Sequence, residues 1–346
     1  MAAFFLLLVG ALMATFSSIN SQTSAGYAMY VWTRGFDHTV SGCDLTKFLQ
    51  WQTSDHNCFT HTWDTAGRRQ WLWDTCNLAG REVSRIFLSD VHNKLKQAFQ
   101  AKSCAGSEVQ LVKTAVAEGH QQVTDLKIYA LFAVSDLAVT EAELVKQVVW
   151  YNDNCAGSDG ERFDGVAANN EAYAHIKNAD VATRVAYLDK LDAIAVNAAT
   201  QQQGQLVTHY SMSWHWGIRS DGQNDFTWRG KTQDATRHMI DIFDSTDVQV
   251  AFTVYPAISD RMNQAGYAHA VYSNKPIFTT FYTNKAVPCQ TSFFPESCTS
   301  WHVGTEAAMF GAIDQFGQKG IPLAKPCIHY FRGVYSSGVH PDWPSH

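Results

Sequence analysis

The chain has 346 residues, of which 46% are hydrophobic, 13% aromatic and only 17% charged, and its formal net charge is -6. This apolar content with modest charge excludes an intrinsically disordered protein, and 8 cysteines are too few for a small disulfide-built scaffold. A mildly acidic chain without basic runs repels phosphate backbones, so nucleic acid is not an expected partner.

The first element is an apolar run from Phe4 to Met13, and no charged residue occurs before Arg34. This pattern is typical of a secretory signal peptide. We therefore expect residues 1–21 to be a signal peptide and residues 22–346 to form one secreted, extracellular domain. The run is too short to span a membrane and no later stretch is long and apolar enough, so no membrane partner is predicted.

Eight short β-rich runs follow, and helical patterns separate them along most of the chain. This alternation indicates a parallel sheet, and eight such strands predict a (β/α)8 TIM barrel of the α/β class. A doubly wound open sheet is the alternative, disfavoured because no Gly-x-Gly-x-x-Gly follows the first strand. The predicted strands are Tyr27–Trp32, Val83–Ser89, Lys127–Val134, Arg162–Ala168, Gln205–Ser213, Asp247–Val254, Pro276–Tyr282 and Pro326–Arg332. The clearest helical patterns are Asp90–Ala101, Glu141–Trp150, Asp180–Thr200, Thr232–Phe243 and Thr305–Phe316.

A long insertion, roughly residues 35–80, separates the first two predicted strands. It contains three cysteines and four tryptophans, and we interpret it as a disulfide-pinned loop and helix of the same domain. An even cysteine count behind a signal peptide favours disulfides. Cys289 and Cys298 are the best local pair, because a bridge would close a short loop containing Pro295. The other cysteines have no predicted partner: Cys43, Cys58, Cys76, Cys104, Cys155 and Cys327.

In a (β/α)8 barrel the functional residues lie where strands end and the following loops begin. This rule turns the strand list into a list of candidate positions. We interpret Asp90 as a helix N-cap, and Asp136 either as a cap or as a residue that lines the cleft. The nominated positions are Trp32, Asp90, Asp136, Asn169, Glu171, Trp214, Tyr255, Asn284 and Arg332.

The fourth predicted strand carries the most informative pattern, Phe163-Asp164-Gly165-Val166-Ala167-Ala168-Asn169-Asn170-Glu171. Side chains alternate along a strand, so Ala167, Asn169 and Glu171 share one face, which would point into the barrel. Asn169 and Glu171 would then lie together at its mouth. Asp164 has the opposite parity, and we interpret it as a structural residue that points away from the interior.

This segment resembles the fourth-strand motif of chitinase and endo-β-N-acetylglucosaminidase barrels. The chitinase pattern Asp-Gly-x-Asp-x-Asp-x-Glu matches Asp164, Gly165 and Glu171, whereas Ala167 and Asn169 replace two of its acids. The Asn-x-Glu ending and the Phe-Asp-Gly start are similar to the endo-β-N-acetylglucosaminidases. The fifth strand, Val207-Thr208-His209-Tyr210, also resembles a Thr-x-Tyr-Asp stretch of that family, with serine in place of the aspartate.

The resemblance implies a glycoside hydrolase that acts on N-acetylglucosamine-containing glycans. In substrate-assisted hydrolysis the sugar's own acetamido oxygen attacks the anomeric carbon, so one protein carboxyl suffices. Glu171 would be the general acid and base, and we expect it to be buried among aromatic side chains. Asn169 would orient the acetamido group, and Tyr210 or Tyr255 would supply a further hydrogen bond to it.

Aromatic residues near strand ends are candidates for stacking on sugar rings. The fifth strand is followed by Trp214-His215-Trp216, although packing against the barrel is the ordinary role of each tryptophan. His209 and His215 have no carboxylate at a metal-binding spacing, and no cofactor motif is found, so neither a metal nor a cofactor is predicted. The predicted substrate-binding residues are Trp32, Asp136, Tyr210, Trp214, Trp216, Tyr255, Asn284 and Arg332.

Three alternatives to this interpretation stay open. Asn169 and Asn170 would serve equally as a helix cap, with Glu171 as a solvated acid of the first turn. The barrel would be a carbohydrate-binding protein without catalysis if the acids absent at Ala167 and Asn169 mark lost activity. A secreted barrel with cofactor-free oxidative chemistry on an organic substrate, as in a luciferase or oxygenase, is the third.

Overall fold

The core of the fold is a closed barrel of eight parallel strands, which confirms the predicted barrel. The computed structural model describes residues 26–32, 34–36, 59–61, 63–134, 136–282, 306–318 and 325–329. The strands are β1 (Tyr27–Val31), β2 (Arg34–Phe36), β3 (Phe59–His61), β4 (Val83–Ser89), β5 (Lys127–Phe132), β6 (Gly165–Ala168), β7 (Val207–Ser213), β8 (Phe226–Trp228), β9 (Lys231–Gln233), β10 (Ser245–Gln249), β11 (Ile277–Tyr282) and β12 (Lys325–His329). The barrel closes in the order β1-β12-β11-β10-β7-β6-β5-β4.

Helices follow the barrel strands and form the outer layer. No helix in the described ranges is long and apolar enough to cross a membrane. The helices are Ala66–Cys76, Val91–Ala101, Ser107–Gln122, Glu141–Asn154, Tyr173–Ile176, Val181–Ala198, Ala235–Ile242, Tyr255–Gln264, Tyr267–Tyr272 and Glu306–Gln318.

All eight predicted strands coincide with barrel strands, and the sixth shows the largest shift. The prediction was Asp247–Val254, whereas β10 spans Ser245–Gln249. The apolar run continues beyond the strand, but Ala251 adopts a left-handed conformation with φ of 51°. A residue in that conformation leaves the extended path of the strand, so the ladder has ended before it.

Both faces of the barrel strands are buried, which explains their continuous apolar runs. In β5, Ile128, Ala130 and Phe132 pack against the helices, while Tyr129 and Leu131 point into the barrel. Gly165 at the start of β6 has no room for a side chain, since a Cβ there would lie 2.5 Å from the carbonyl oxygen of Val207.

The disulfide prediction is correct in kind but wrong for two cysteines. Cys104 and Cys155 form a disulfide that joins the segments following two helices. Cys76 and Cys327 are free thiols, contrary to the prediction. Both are fully buried, Cys76 beneath its helix and Cys327 inside the barrel, where no described cysteine reaches them. Cys43, Cys58, Cys289 and Cys298 lie outside the described residues.

Two features of the loops were not predicted. Within the insertion, β2 and β3 form an antiparallel pair ahead of the helix Ala66–Cys76. After β7, the hairpin of β8 and β9 packs on the helix Val181–Ala198, where Trp228 Nε1 donates to Asp189 at 2.9 Å. Arg229 and Gly230 form its turn with φ of 48° and 78°, the backbone shape that suits two-residue hairpins.

Asp164 anchors the amino-terminal end of the barrel, as its strand parity predicts. Its carboxylate accepts hydrogen bonds from the Ile128 amide at 2.8 Å, His120 Nε2 at 2.8 Å and Lys127 Nζ at 2.9 Å. Burial raises the pKa of Asp164, but these donors outweigh it and lower the pKa overall. Burial lowers the pKa of His120, and the Asp164 carboxylate and the Gly160 carbonyl outweigh it, so that pKa is raised.

We predict that Asp164→Asn destabilises the protein by about 1.5–3 kcal/mol, the range for a hydrogen bond to a charged group. A lowered aspartate pKa contributes stability above pH 3.8 that is lost as the pH falls through the folded-state value. A raised histidine pKa contributes stability below pH 6.5 that is lost as the pH rises through its folded-state value. The destabilisation caused by Asp164→Asn should therefore be larger at pH 5 than at pH 8.

Urea unfolding of the wild type and the variant at both pH values measures this difference. Asp159→Asn is the matched control, because the Asp159 side chain is fully exposed and its removal should leave stability unchanged. An Asp164→Asn effect of equal size at both pH values would contradict the pairing with His120.

Candidate active site

The carboxyl-terminal ends of the barrel strands bring Asn169 and Glu171 together, next to β6. The Asn169 side chain is 6% exposed and points inward. Its Nδ2 lies 3.5 Å from Oε1 of Glu171. Glu171 is exposed, which corrects the expectation that aromatic side chains bury it: it lies beyond the end of β6, above the packed interior.

The two adjacent asparagines have separate roles, and the helix-cap alternative describes Asn170 but not Asn169. Asn170 makes the local contacts, because its Oδ1 accepts from the Ala172 amide at 3.0 Å and from the Tyr187 hydroxyl at 2.8 Å. Asn169 takes no part in that turn. Its Oδ1 accepts instead from Gln249 Nε2 at 2.8 Å, across the barrel mouth.

Gln249 and Tyr282 complete this polar group, and neither is predicted from the sequence. The Tyr282 hydroxyl donates to Gln249 Oε1 at 3.0 Å. Each is the last residue of its strand, β10 and β11. The strand-end rule would have found Gln249 if β10 had been placed correctly, and it nominated Asn284 two residues past Tyr282. Asn284 and Arg332 lie outside the described residues.

An aromatic group forms the opposite wall of the mouth. The indole Nε1 of Trp32 donates to His329 Nε2 at 3.0 Å. Trp32 stacks on Tyr30 with 5.8 Å between ring centroids, and Tyr282 lies 4.7 Å from the His329 ring. Burial lowers the pKa of His329 to about 4, so its imidazole is neutral and its Nε2 is an acceptor at pH 7. Trp32 is thus held at the mouth by His329 and Tyr30.

Beneath the mouth, the barrel interior contains a fully buried carboxylate, Asp247. Oδ1 accepts from the Tyr30 hydroxyl at 2.6 Å and from His209 Nε2 at 2.9 Å. Oδ2 accepts from the hydroxyls of Ser211, at 3.0 Å, and Thr280. A buried charge requires such partners. His209 is therefore a structural histidine, and no cluster of metal-ligating side chains occurs in the described part of the chain.

Two predicted substrate contacts, Tyr210 and Trp216, lie in the helix layer instead, and these predictions are wrong. Tyr210 is fully buried, donates to the Asn170 carbonyl at 2.9 Å and stacks on Phe243. Its neighbours in sequence point into the barrel, so strand alternation turns Tyr210 outward. Trp216 is 1% exposed and stacks on Tyr187. Asp136 lies in the loop after β5, where its carboxylate accepts from the amide and hydroxyl of Thr140.

Trp214 and Tyr255 are partly buried near the ends of β7 and β10. The Arg261 guanidinium lies 3.7 Å from the Trp214 ring centroid. Burial lowers the pKa of His215, and Lys177 and Arg261 lower it further.

Backbone strain is found at the same end of the barrel. Asp90, Val139 and Ala251 follow β4, β5 and β10, and have φ of 68°, 54° and 51°. A β-branched residue such as Val139 is rarely left-handed, and such strain collects at functional sites. Asp90 precedes its helix as predicted, but its side chain makes no cap bond to the backbone.

No protein-family model matches the sequence, and neither does any curated protein. Among solved structures, the chain is similar to a GH18 chitinase from Cycas revoluta in complex with (GlcNAc)3, at 10% identity and a TM-score of 0.35, over 58% of this chain and 62% of that one. It is also similar to a chitinase from Bacteroides thetaiotaomicron, at 10% identity and a TM-score of 0.45, over 80% and 90% of the two chains.

A xylanase-α-amylase inhibitor protein in complex with trehalose is a third similar structure. Its identity is 8% and its TM-score 0.43, over 91% of this chain and 95% of that one. The match to the Cycas revoluta chitinase, in contrast, spans less than two thirds of that protein. At these identities and scores the likeness says nothing of activity, and the barrel is established by its own strand pairing.

We predict that the burial of His329 makes stability depend on pH, because burial lowers the pKa of its imidazole to about 4. A folded-state pKa near 4 against 6.5 means that the unfolded chain takes up the proton first. The contribution of His329 is therefore complete above pH 6.5 and is lost as the pH falls toward about 4. His329→Gln keeps an acceptor for the indole but cannot titrate.

Thermal unfolding of both proteins between pH 7.5 and pH 4 measures this effect. The melting temperature of the wild type should fall further than that of His329→Gln over that range. Parallel pH curves would show that His329 does not contribute.

Proposed function

We propose that the protein is a glycoside hydrolase that acts on N-acetylglucosamine-containing glycans by a substrate-assisted mechanism. The observation that carries the proposal is the Asn169–Glu171 pair at the barrel mouth, with the Asn169 amide held by Gln249. The carboxyl-terminal end of the strands is where barrel enzymes hold their reacting groups. The fourth-strand motif supports the same assignment.

The mechanism requires one protein carboxyl, which Glu171 would supply. Glu171 protonates the departing glycosidic oxygen while the acetamido oxygen attacks the anomeric carbon, and the ionised Glu171 then removes a proton from the water that opens the cyclic intermediate. Asn169 keeps one lone pair on Oδ1 beyond the bond from Gln249. That lone pair can accept the acetamido N–H and orient the group.

We predict that Glu171→Gln lowers the rate of product release from chitooligosaccharides or N-glycans by roughly 100-fold or more, the usual contribution of a general acid. Glu143→Gln is the matched control, because Glu143 is exposed on an outer helix and its substitution should leave the rate unchanged. Retained activity in Glu171→Gln would reject the residue assignment, and an inactive wild type would reject the enzyme.

A second candidate function is glycan binding without turnover. It is favoured by the exposure of Glu171 and by Ala167, which stands where the resembled chitinase motif has an acid. Both candidates use the aromatic wall, because pyranose rings stack on indoles. Binding measured by calorimetry, with no product released by the same wild-type protein, would identify this function.

We predict that Trp32→Ala weakens chitooligosaccharide binding about tenfold, the effect of losing one well-packed aromatic contact. Calorimetry in the Glu171→Gln background measures this without turnover. Tyr272→Ala is the control, since Tyr272 is 91% exposed on an outer helix. Equal losses in the two variants would argue against a stacking role for Trp32.

We also propose that the protein is secreted. The apolar amino-terminal run supports this, and so does the Cys104–Cys155 disulfide, because such bonds persist in oxidising compartments. The test is to express the full chain in cells and to look for it in the medium. The recovered protein should lack residues 1–21.

A further inference from the structure

Asp247 is linked to Asn169 by hydrogen bonds of 2.8–3.0 Å through the barrel, and a longer contact of 3.5 Å joins Asn169 to Glu171. Ser211 Oγ donates to Asp247 Oδ2 at 3.0 Å, and Gln249 Nε2 lies 3.0 Å from the same Ser211 oxygen. Gln249 Nε2 also donates to Asn169 Oδ1 at 2.8 Å, and Asn169 Nδ2 faces Glu171 Oε1. We call the path Asp247, Ser211, Gln249, Asn169 and Glu171 the relay.

The donor and acceptor capacities of these groups allow only one direction. Four donors converge on Asp247, so both of its oxygens accept. The single hydroxyl hydrogen of Ser211 is therefore committed to Asp247, and Ser211 can only accept from Gln249. Gln249 must then turn its NH2 group toward Ser211, which leaves its carbonyl oxygen for the Tyr282 hydroxyl.

The same constraint passes to Asn169. Because Gln249 donates from its NH2 group, Asn169 must accept with Oδ1. The NH2 group of Asn169 is then turned toward Glu171. Glu171 then accepts at Oε1, and the proton that a general acid donates resides on Oε2. Neither asparagine nor glutamine has a preferred amide orientation of its own, so the buried carboxylate sets both.

A second path reaches Asp247 from the other end of the barrel. Arg85 donates to Ser245 Oγ at 3.1 Å, and the Ser245 oxygen lies 2.8 Å from His209 Nδ1. Burial lowers the pKa of His209 despite Asp247, so the imidazole is neutral. With Nε2–H donated to Asp247, Nδ1 accepts from Ser245, which in turn accepts from Arg85. This path too ends on Asp247 as an acceptor.

We propose that Asp247 is a positioning residue that acts through Ser211, Gln249 and Asn169 to orient the Glu171 carboxyl. The inference rests on the catalytic role proposed for Glu171. Asp247 itself is fully buried and exposes no surface to a substrate.

Two substitutions remove equivalent hydroxyls from the same carboxylate oxygen and provide the test. Ser211 and Thr280 both donate to Asp247 Oδ2, but only Ser211 connects onward to Gln249. Ser211→Ala should shift the side-chain NH2 resonances of Asn169, assigned by their loss in Asn169→Asp. Thr280→Val should leave those resonances in place. Asp247→Asn, which adds a donor to the relay, should shift them furthest.

Kinetics test the consequence for catalysis. Ser211→Ala should lower kcat about tenfold with KM changed less than about twofold, because a misdirected Glu171 affects the transition state more than binding. The same substitution in the Glu171→Gln background should lower the residual rate no further. Asp164→Asn controls for a general loss of stability, since Asp164 lies at the opposite end of the barrel.

The outcomes separate the two proposals. An inactive wild type whose Asn169 resonances still respond to Ser211→Ala but not to Thr280→Val would reject the proposed function and keep the relay. Resonances that respond equally to both substitutions, or to neither, would overturn the relay whatever the activity. Equal losses of kcat in Ser211→Ala and Thr280→Val would overturn the relay as well.

Discussion

The arrangement of this barrel depends on one charge, the carboxylate of Asp247 in its interior. An isolated ionised carboxyl in an apolar interior is strongly unfavourable, so donors must surround it. They come from three other strands: Tyr30 on β1, the pair of His209 and Ser211 on β7, and Thr280 on β11. This requirement ties together strands far apart in sequence and fixes which side chains face inward along them.

Because of that charge, the interior has two unlike halves. On one side aromatic rings surround the polar groups: Phe87 stacks 4.4 Å from His209, and the Arg85 guanidinium lies 4.7 Å and 4.8 Å from the ring centroids of Tyr129 and Phe278. On the other, hydroxyl and amide groups lead from Asp247 to the mouth. Polar groups this deep persist only when each has a partner, which makes their orientation specific. Gln249 extends this fixed orientation of polar groups to the side chains at the mouth.

The fold was largely predictable, because eight apolar strands between helices leave few other topologies. The parity of the fourth strand was predictable, since it separates inward Asn169 from Asp164, whose carboxylate pairs with His120. The exposure of Glu171 was not, because this residue lies beyond the end of the strand. Residues whose role depends on distant strands were not predictable. Tyr210 was misassigned because a motif suggested a contact that strand alternation excludes, and Gln249 was missed because a β10 boundary set by apolar content ignored the left-handed Ala251.

Asp247 offers a physical reason why Ala167 and Asn169 stand where the resembled chitinase motif has acids. Ala167 faces inward and pairs in register with His209, the imidazole that donates to Asp247. A carboxylate at position 167 would bring a second negative charge toward the first in a buried site, and like charges so placed disfavour joint ionisation. A small side chain leaves the imidazole and its aromatic neighbours in place. The neutral amide at position 169 can then transmit orientation from Asp247 to Glu171, which a second carboxylate, having no hydrogen to donate, could not do.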